Sequence, residues 1–132
     1  MAAPRVSIVL PAWNAAAFIE RTLATVAAQT FTDFELIVVD DGSSDETTVV
    51  VERFLKEKGL RGRCIKQPNK KIAGARNTGI RAAAADRIAF LDHDDLWFPG
   101  KLARTLAEFD ARPDADLVCH DVAIRVVRDL RR

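Results

Sequence analysis

The sequence predicts an α/β fold, a mostly parallel sheet with helices on both faces. Short, near-continuous apolar runs rich in β-branched residues alternate with segments whose apolar residues recur at helical spacing. The connections between them are short and carry no repeat and no low-complexity linker. The length of 132 residues, with 48% hydrophobic and 30% charged side chains, suits one domain that buries roughly two thirds of its unfolded surface.

Residues 6–10 form the first strand, closed by Pro11. Asn14 is placed to cap a helix that runs to about Gln29, with Phe18, Ile19, Leu23, Val26 and Ala27 on its apolar face. Residues 34–39 are the second strand. Ser43 and Glu46 have capping-box spacing, and their helix runs to Lys58 and stops at Gly59. Residues 63–67 make a third, weaker strand ended by Pro68 and Asn69. Residues 73–85 are Ala-rich and helical despite Gly74 and Gly79, which cost about 1 kcal/mol each relative to Ala. Residues 87–91 are the fourth strand. Pro99 suits the first turn of a helix to about Arg112, with Leu102, Leu106 and Phe109 on one face. Residues 115–120 begin a fifth strand. The order is βαβαβαβαβ, with right-handed crossovers expected.

Composition excludes several classes. Lys and Arg total 20 against 19 Asp and Glu, a net charge of +1, so the chain as a whole has no electrostatic footprint for nucleic acid. The last eight residues carry four Arg against one Asp, a basic tail that reads first as a solvated terminus. No uncharged stretch approaches the ~20 residues a membrane helix needs. The start, Met1-Ala-Ala-Pro-Arg5, lacks a signal peptide's apolar core. Cys64 and Cys119 form neither a CxxC motif nor a disulfide framework and read as reduced thiols. The expected location is cytoplasmic, including the inner face of the membrane.

In parallel sheets of this kind, ligands sit beyond the carboxyl ends of the strands. Strand one ends in Pro11-Ala-Trp-Asn14, strand two in Asp40-Asp-Gly-Ser-Ser-Asp45, and strand four in Asp92-His-Asp-Asp95. Capping accounts for one Asp or Ser per helix start, a place Ser43 or Ser44 already fills after strand two. Three carboxylates within four residues at Asp92, Asp94 and Asp95 repel one another, and a divalent metal relieves this. The competing reading is a solvated loop that caps the next helix. Alternation turns His93 away from Asp92 and Asp94. Asp40 and Asp41 are placed to accept from ribose hydroxyls or a base N–H, with Gly42 permitting a sharp turn, although Asp-Gly-Ser is also ordinary turn chemistry. Arg76 and Asn77 fall early in the third helix, within reach of a diphosphate or its sugar. There is no GxGxxG after strand one and no GxxxxGK[ST] at all, against dinucleotide and P-loop readings.

Four stretches in this order resemble the family 2 glycosyltransferases of the GT-A fold: Val6 to Asn14, Gln29 to Thr47, Ala75-Arg-Asn-Thr-Gly-Ile80, and Phe90-Leu-Asp-His-Asp-Asp-Leu-Trp97. The resemblance covers nearly the whole chain. It implies a Rossmann-like nucleotide-binding half that takes a nucleotide-sugar, with UDP expected and Mn²⁺ or Mg²⁺ as cofactor. Asp41 would hold the base with Asp40 nearby, and Pro11 and Ala12 would offer backbone groups. Asp92 and Asp94 match the DxD pair, and Asp94 and Asp95 match the acids that contact ribose and metal, either of them the direct ligand. Arg76 and Asn77 are further contacts with the nucleotide-sugar. Family catalytic domains are longer, so residues 1–132 are expected to be a single domain cut off before the acceptor-binding half. No acid here matches the family's general base, and Asp121 falls in the nucleotide half by position.

The resemblance thus implies part of an inverting, metal-dependent glycosyltransferase acting on a glycan, lipid or protein acceptor. A non-catalytic assembly domain derived from such an enzyme is the alternative. Apolar surface left near residues 118–127 would then favour a homodimer. A receiver-like signalling module fits the size, but its acid pair would follow strand one, where this chain has Pro11-Ala-Trp-Asn14.

Overall fold

The computed structural model describes residues 2–119. Its elements are β1 (Val6–Ala12), α1 (Ile19–Ala27), β2 (Phe34–Asp41), α2 (Thr47–Lys58), β3 (Gly62–Gln67), α3 (Lys71–Ala82), β4 (Ile88–Phe90) and α4 (Lys101–Ala111). The four strands form one sheet in the order β3-β2-β1-β4. Every pairing is parallel, with Val6 opposite Phe34, Ser7 opposite Ile88 and Leu36 opposite Gly62.

The central strand β1 is buried at all seven positions, which is why it reads as a nearly continuous apolar run, interrupted by Ser7. Alternation then sorts side chains to two faces. Ile8, Leu10, Leu36 and Val38 join the larger core with Ile19, Leu23 and Val26 of α1, Val51 and Phe54 of α2, and Leu102 and Leu106 of α4. Ile37 and Val39 face the other way, onto Ala75 of α3. On that face Val9 meets Gly79 so closely that an added Cβ would lie 2.3 Å from Val9 Cγ1. The glycine that weakens the helix as a helix thus lets α3 lie close against the sheet.

Pro11 lies inside β1 rather than closing it, paired with Val39. Ser7 N and Val9 O bond toward β4, so residue 11 points its missing N–H to that same side. There the β1–β4 pairing has already ended, at Val9 and Phe90, and no ladder bond is lost.

Three expectations about local structure are corrected. Asn14 does not cap α1: it sits at φ 47°, and the helix begins at Ile19. The capping box of Ser43 and Glu46 does not form. Asp45 instead accepts from Thr47 N at 3.0 Å, while Ser43 Oγ accepts from Asn14 N at 2.9 Å. Both polar residues are drawn into a cross-loop contact that sequence spacing does not reveal. The expected fifth strand is not formed over residues 115–119, where the short apolar run Leu117-Val-Cys119 pairs with no strand among the described residues. His120, Asp121, the basic tail and most of residues 118–127 lie outside the described residues.

The α3 boundaries also shift, from 73–85 to Lys71–Ala82. The helix ends where side chains from the sheet catch its next backbone groups. Ala84 N donates to Glu35 Oε1 at 2.7 Å and Ala85 N to Ser7 Oγ at 3.0 Å. Buried Gln29 fastens the start of α4 in a similar way, donating to Phe98 O at 2.8 Å and accepting from Leu102 N at 3.0 Å.

Candidate functional site

A cavity of about 400 Å³ opens at the carboxyl edge of the sheet, on the α3 face. Pro11, Ala12 and Trp13 from the end of β1 line one side, and Asp41 from β2 forms its floor. Asn69, Lys71, Ile72 and Ala75 bring in the start of α3, and Asp92, His93 and Asp94 come from the loop after β4.

The pair at the end of β2 is split by strand alternation. Asp40 faces α2 and is 1% exposed. Its carboxylate accepts from Ser43 N at 3.0 Å and from Thr48 Oγ1 on α2, so it fastens the β2–α2 loop and does not line the cavity. Asp41 faces α3 and is 4% exposed. Its Oδ1 accepts from Gln67 Nε2 at 2.9 Å and Lys70 N at 2.8 Å. Gln67 is in turn held by Thr78 Oγ1, which donates to its Oε1 at 2.6 Å. Oδ2 receives no protein donor among the described residues. Gly42 permits this packing, with φ 81° and an added Cβ only 2.8 Å from Asn69 N.

The β1 and β2 ends are tied together. Asn14 N donates to Ser43 Oγ at 2.9 Å, Ser44 N to Asn14 Oδ1 at 2.8 Å and Ala15 N to Thr47 Oγ1 at 2.9 Å. Asp45 takes Ala16 N at 3.1 Å. The hydrogen bond from the Thr47 hydroxyl, foremost among these contacts, holds the Asp45 carboxyl below its ordinary value.

The loop after β4 is tied to α1, where the Thr22 hydroxyl donates to His93 O at 3.0 Å and Thr25 Oγ1 accepts from Trp97 N at 3.2 Å. Asp92 Oδ1 takes Arg76 Nη2 at 3.1 Å, with both side chains part exposed, and Arg76 lies over the Phe90 ring at 5.5 Å. Arg76 therefore reaches Asp92 across the rim and is absent from the cavity wall, and Asn77 is exposed on α3. Asp94 lines the cavity. Asp95 does not, and its carboxyl is raised by burial first and then by the charges of Asp92 and Asp94. His93 is held by its ring edge on Phe18, centroids 5.3 Å apart, and its Nδ1 accepts from Trp13 N at 3.3 Å. It lines the cavity as a strut between two loops.

Of the residues expected at a nucleotide site, Pro11, Ala12, Asp41, Asp92 and Asp94 share this cavity, whereas Asp40, Arg76, Asn77 and Asp95 do not line it. Trp13, Asn69, Lys71, Ile72, Ala75 and His93 complete the wall, and His93 does so against the expectation that alternation turns it away from Asp92 and Asp94. Trp13 carries a usable signal, since it immediately follows the first strand, and Asn69 lies two residues past the third, both on the carboxyl edge. No group of three or more His, Cys, Asp or Glu able to close round a metal occurs among the described residues. Nor is any described helix long and apolar enough to cross a membrane.

A parallel sheet with an acidic cavity at its carboxyl edge defines a class of α/β proteins that bind their ligands there, and comparison with solved structures narrows that class to the glycosyltransferases of the GT-A type. The Staphylococcus aureus TarS structure in complex with UDP-GlcNAc has a TM-score of 0.77 and 29% identity, covering 83% of this chain and 32% of that one. A mannosyltransferase from Pyrobaculum calidifontis in complex with GDP-Man and Mn²⁺ has a TM-score of 0.76 and 28% identity, covering 83% and 33%. The chain belongs to glycosyl transferase family 2, which it matches over residues 7–132. An uncharacterized glycosyltransferase of Nostoc sp. is 34% identical over 116 residues, 88% of this chain and 36% of that protein. The chain spans between 26% and 49% of the length of the first curated relatives it matches.

Proposed function

We propose that this chain is the nucleotide-sugar-binding part of an inverting, metal-dependent glycosyltransferase whose substrate is a UDP-sugar. The observation that carries the reading is the meeting of Asp41, Asp92 and Asp94 in one cavity at the carboxyl edge. Asp41 is the base-reading residue. Gln67 and Lys70 occupy one of its oxygens, which leaves Oδ2 to accept the N3–H of uracil. Cytosine presents an acceptor at that atom and is refused, because a carboxylate cannot donate. Pro11 and Ala12 border the base, and Asp92, steadied by Arg76, stands on the ribose side.

Asp94 and Asp95 would hold Mn²⁺ or Mg²⁺. Their hard carboxylate oxygens fit such an ion, and the raised Asp95 carboxyl marks a place where added positive charge is favourable. Fewer than three ligands gather here, which suits ions that complete their shell with phosphate oxygens and water. When bound, the metal supplies positive charge to the leaving diphosphate.

Transfer also requires an acceptor hydroxyl and a base within hydrogen-bond reach. We assign these to the part of the relatives' length that the chain does not span, so residues 1–132 alone bind the nucleotide-sugar and hydrolyse it slowly at most. Titration with UDP, CDP and GDP tests the base assignment. UDP binds at least about tenfold more tightly than CDP, and Asp41→Asn reverses the preference, since Gln67 and Lys70 hold the amide oxygen at the Oδ1 place and its NH2 then faces the base as a donor. Equal affinity for UDP and CDP in the wild type overturns the uracil assignment.

A further inference from the structure

We propose that Lys71 is a specificity-determining residue of the cavity, its ammonium taking the diphosphate of the nucleotide-sugar. This rests on the reading of the cavity given above. Lys71 is the only Lys or Arg among the described residues that line it, and three carboxylates, Asp41, Asp92 and Asp94, line the same cavity. An anionic diphosphate entering this space meets net negative charge unless cations offset it. Arg76 is already engaged with Asp92, whereas the three ion pairs among the described residues leave Lys71 out.

The backbone supplies the second argument. Lys71 has φ 62°, in the left-handed region where a Cβ crowds the neighbouring carbonyl. The turn that imposes this is built on Asp41. Lys70 N donates to Asp41 Oδ1 at 2.8 Å, Asn69 Nδ2 to Asp41 O at 3.0 Å, and Lys71 N to Asn69 Oδ1 at 3.1 Å. Glycine would satisfy that turn without strain.

The other described non-glycine residue at positive φ is Asn14. Asn tolerates the left-handed region, and its side chain repays the strain by accepting from Ser44 N at 2.8 Å. The Lys71 side chain is exposed and makes no hydrogen bond or ion pair among the described residues, so it does nothing for the fold. A strained lysine that the fold does not use, on the wall of an acidic cavity, is accounted for by an anionic ligand.

Three variants separate the charge from the backbone. Titrations of the 132-residue chain with UDP and with uridine, run with Mn²⁺ present, give the affinities, and thermal melts without ligand give stability. Lys71→Ala loses about tenfold in UDP affinity, a loss worth ~1.4 kcal/mol, while uridine affinity stays unchanged. Lys71→Gly shows the same loss for UDP and melts about 3 °C higher, because the strain is relieved. Lys71→Arg keeps UDP affinity within about threefold of wild type. A wild type that binds UDP beside a Lys71→Ala variant that binds it equally well overturns the role of Lys71 alone. Equal losses for UDP and uridine also overturn it, since the effect is then on the cavity's shape. A wild type that binds neither compound overturns the cavity reading and this inference together.

Discussion

Two carboxylates in different loops at the carboxyl edge of the sheet are shifted in opposite directions. Asp45, in the loop after β2, is lowered, chiefly by the hydroxyl of Thr47. Asp95, in the loop after β4, is raised by burial and by Asp92 and Asp94. The β1 and β2 ends form a closed set of hydrogen bonds through Asn14, Ser43, Ser44, Asp45 and Thr47, with buried Asp40 and Asp41 fastened beneath. The β4 end collects negative charge, and among the described residues the one ion pair there is Arg76 on Asp92. The first end holds its acids inside hydrogen bonds, and the second gathers three acids against one Arg among the described residues.

The largest effect expected from this difference is on stability. Asp40→Ala strips Ser43 N and the Thr48 hydroxyl of their acceptor in a buried place and lowers the unfolding free energy by about 3 kcal/mol in urea melts. Asp94→Asn, on the exposed side, changes it by no more than about 0.5 kcal/mol. A pair of equal effects breaks the comparison. So does an Asp40→Ala variant that keeps its stability and loses UDP, which would make Asp40 a ligand contact.

A smaller effect is expected in the pH dependence, and its sign differs between the two sides. Asp45 is lowered in the folded chain, so its stabilisation is present above 3.8 and is lost as pH falls through its folded value. Asp95 is raised, so the folded chain holds that proton more tightly than the unfolded one. Stability therefore falls as pH rises from 3.8 through the raised value. Urea melts across the acid range show Asp45→Asn removing the first dependence and Asp95→Asn the second. The same sign for both would refute the two-sided description.

What the sequence made legible follows the same division. Strands β1 and β2 stand out because burial on both faces leaves a nearly continuous apolar run, and the acid clusters are visible because they follow such runs directly. The different fates of Asp40 and Asp41 were open to the alternation rule: residues 36 and 38 face α2 while 37 and 39 face α3, which sends 40 and 41 apart. Asn14 and Ser43 were misread as helix caps because their partners lie about thirty residues away in sequence, and local spacing carries no trace of that contact. Residues 115–120 read as a strand on composition alone, but a strand also needs a pairing, and residues 115–119 pair with neither edge strand, β3 or β4. The cations at the start of the third helix are visible in the sequence, but the positive φ at Lys71 is not, since it depends on the turn that Asp41 and Asn69 impose.

The central claim is that the β4 side needs a cation to complete a nucleotide diphosphate site whose base side is already formed. Calorimetric titration of UDP into the 132-residue chain, once with Mn²⁺ and once with chelator, tests it most directly, with uridine titrated in parallel. The account predicts that Mn²⁺ tightens UDP by about tenfold, leaves uridine unchanged, and loses its effect in Asp94→Asn. Equal UDP affinity with Mn²⁺ and with chelator would contradict it.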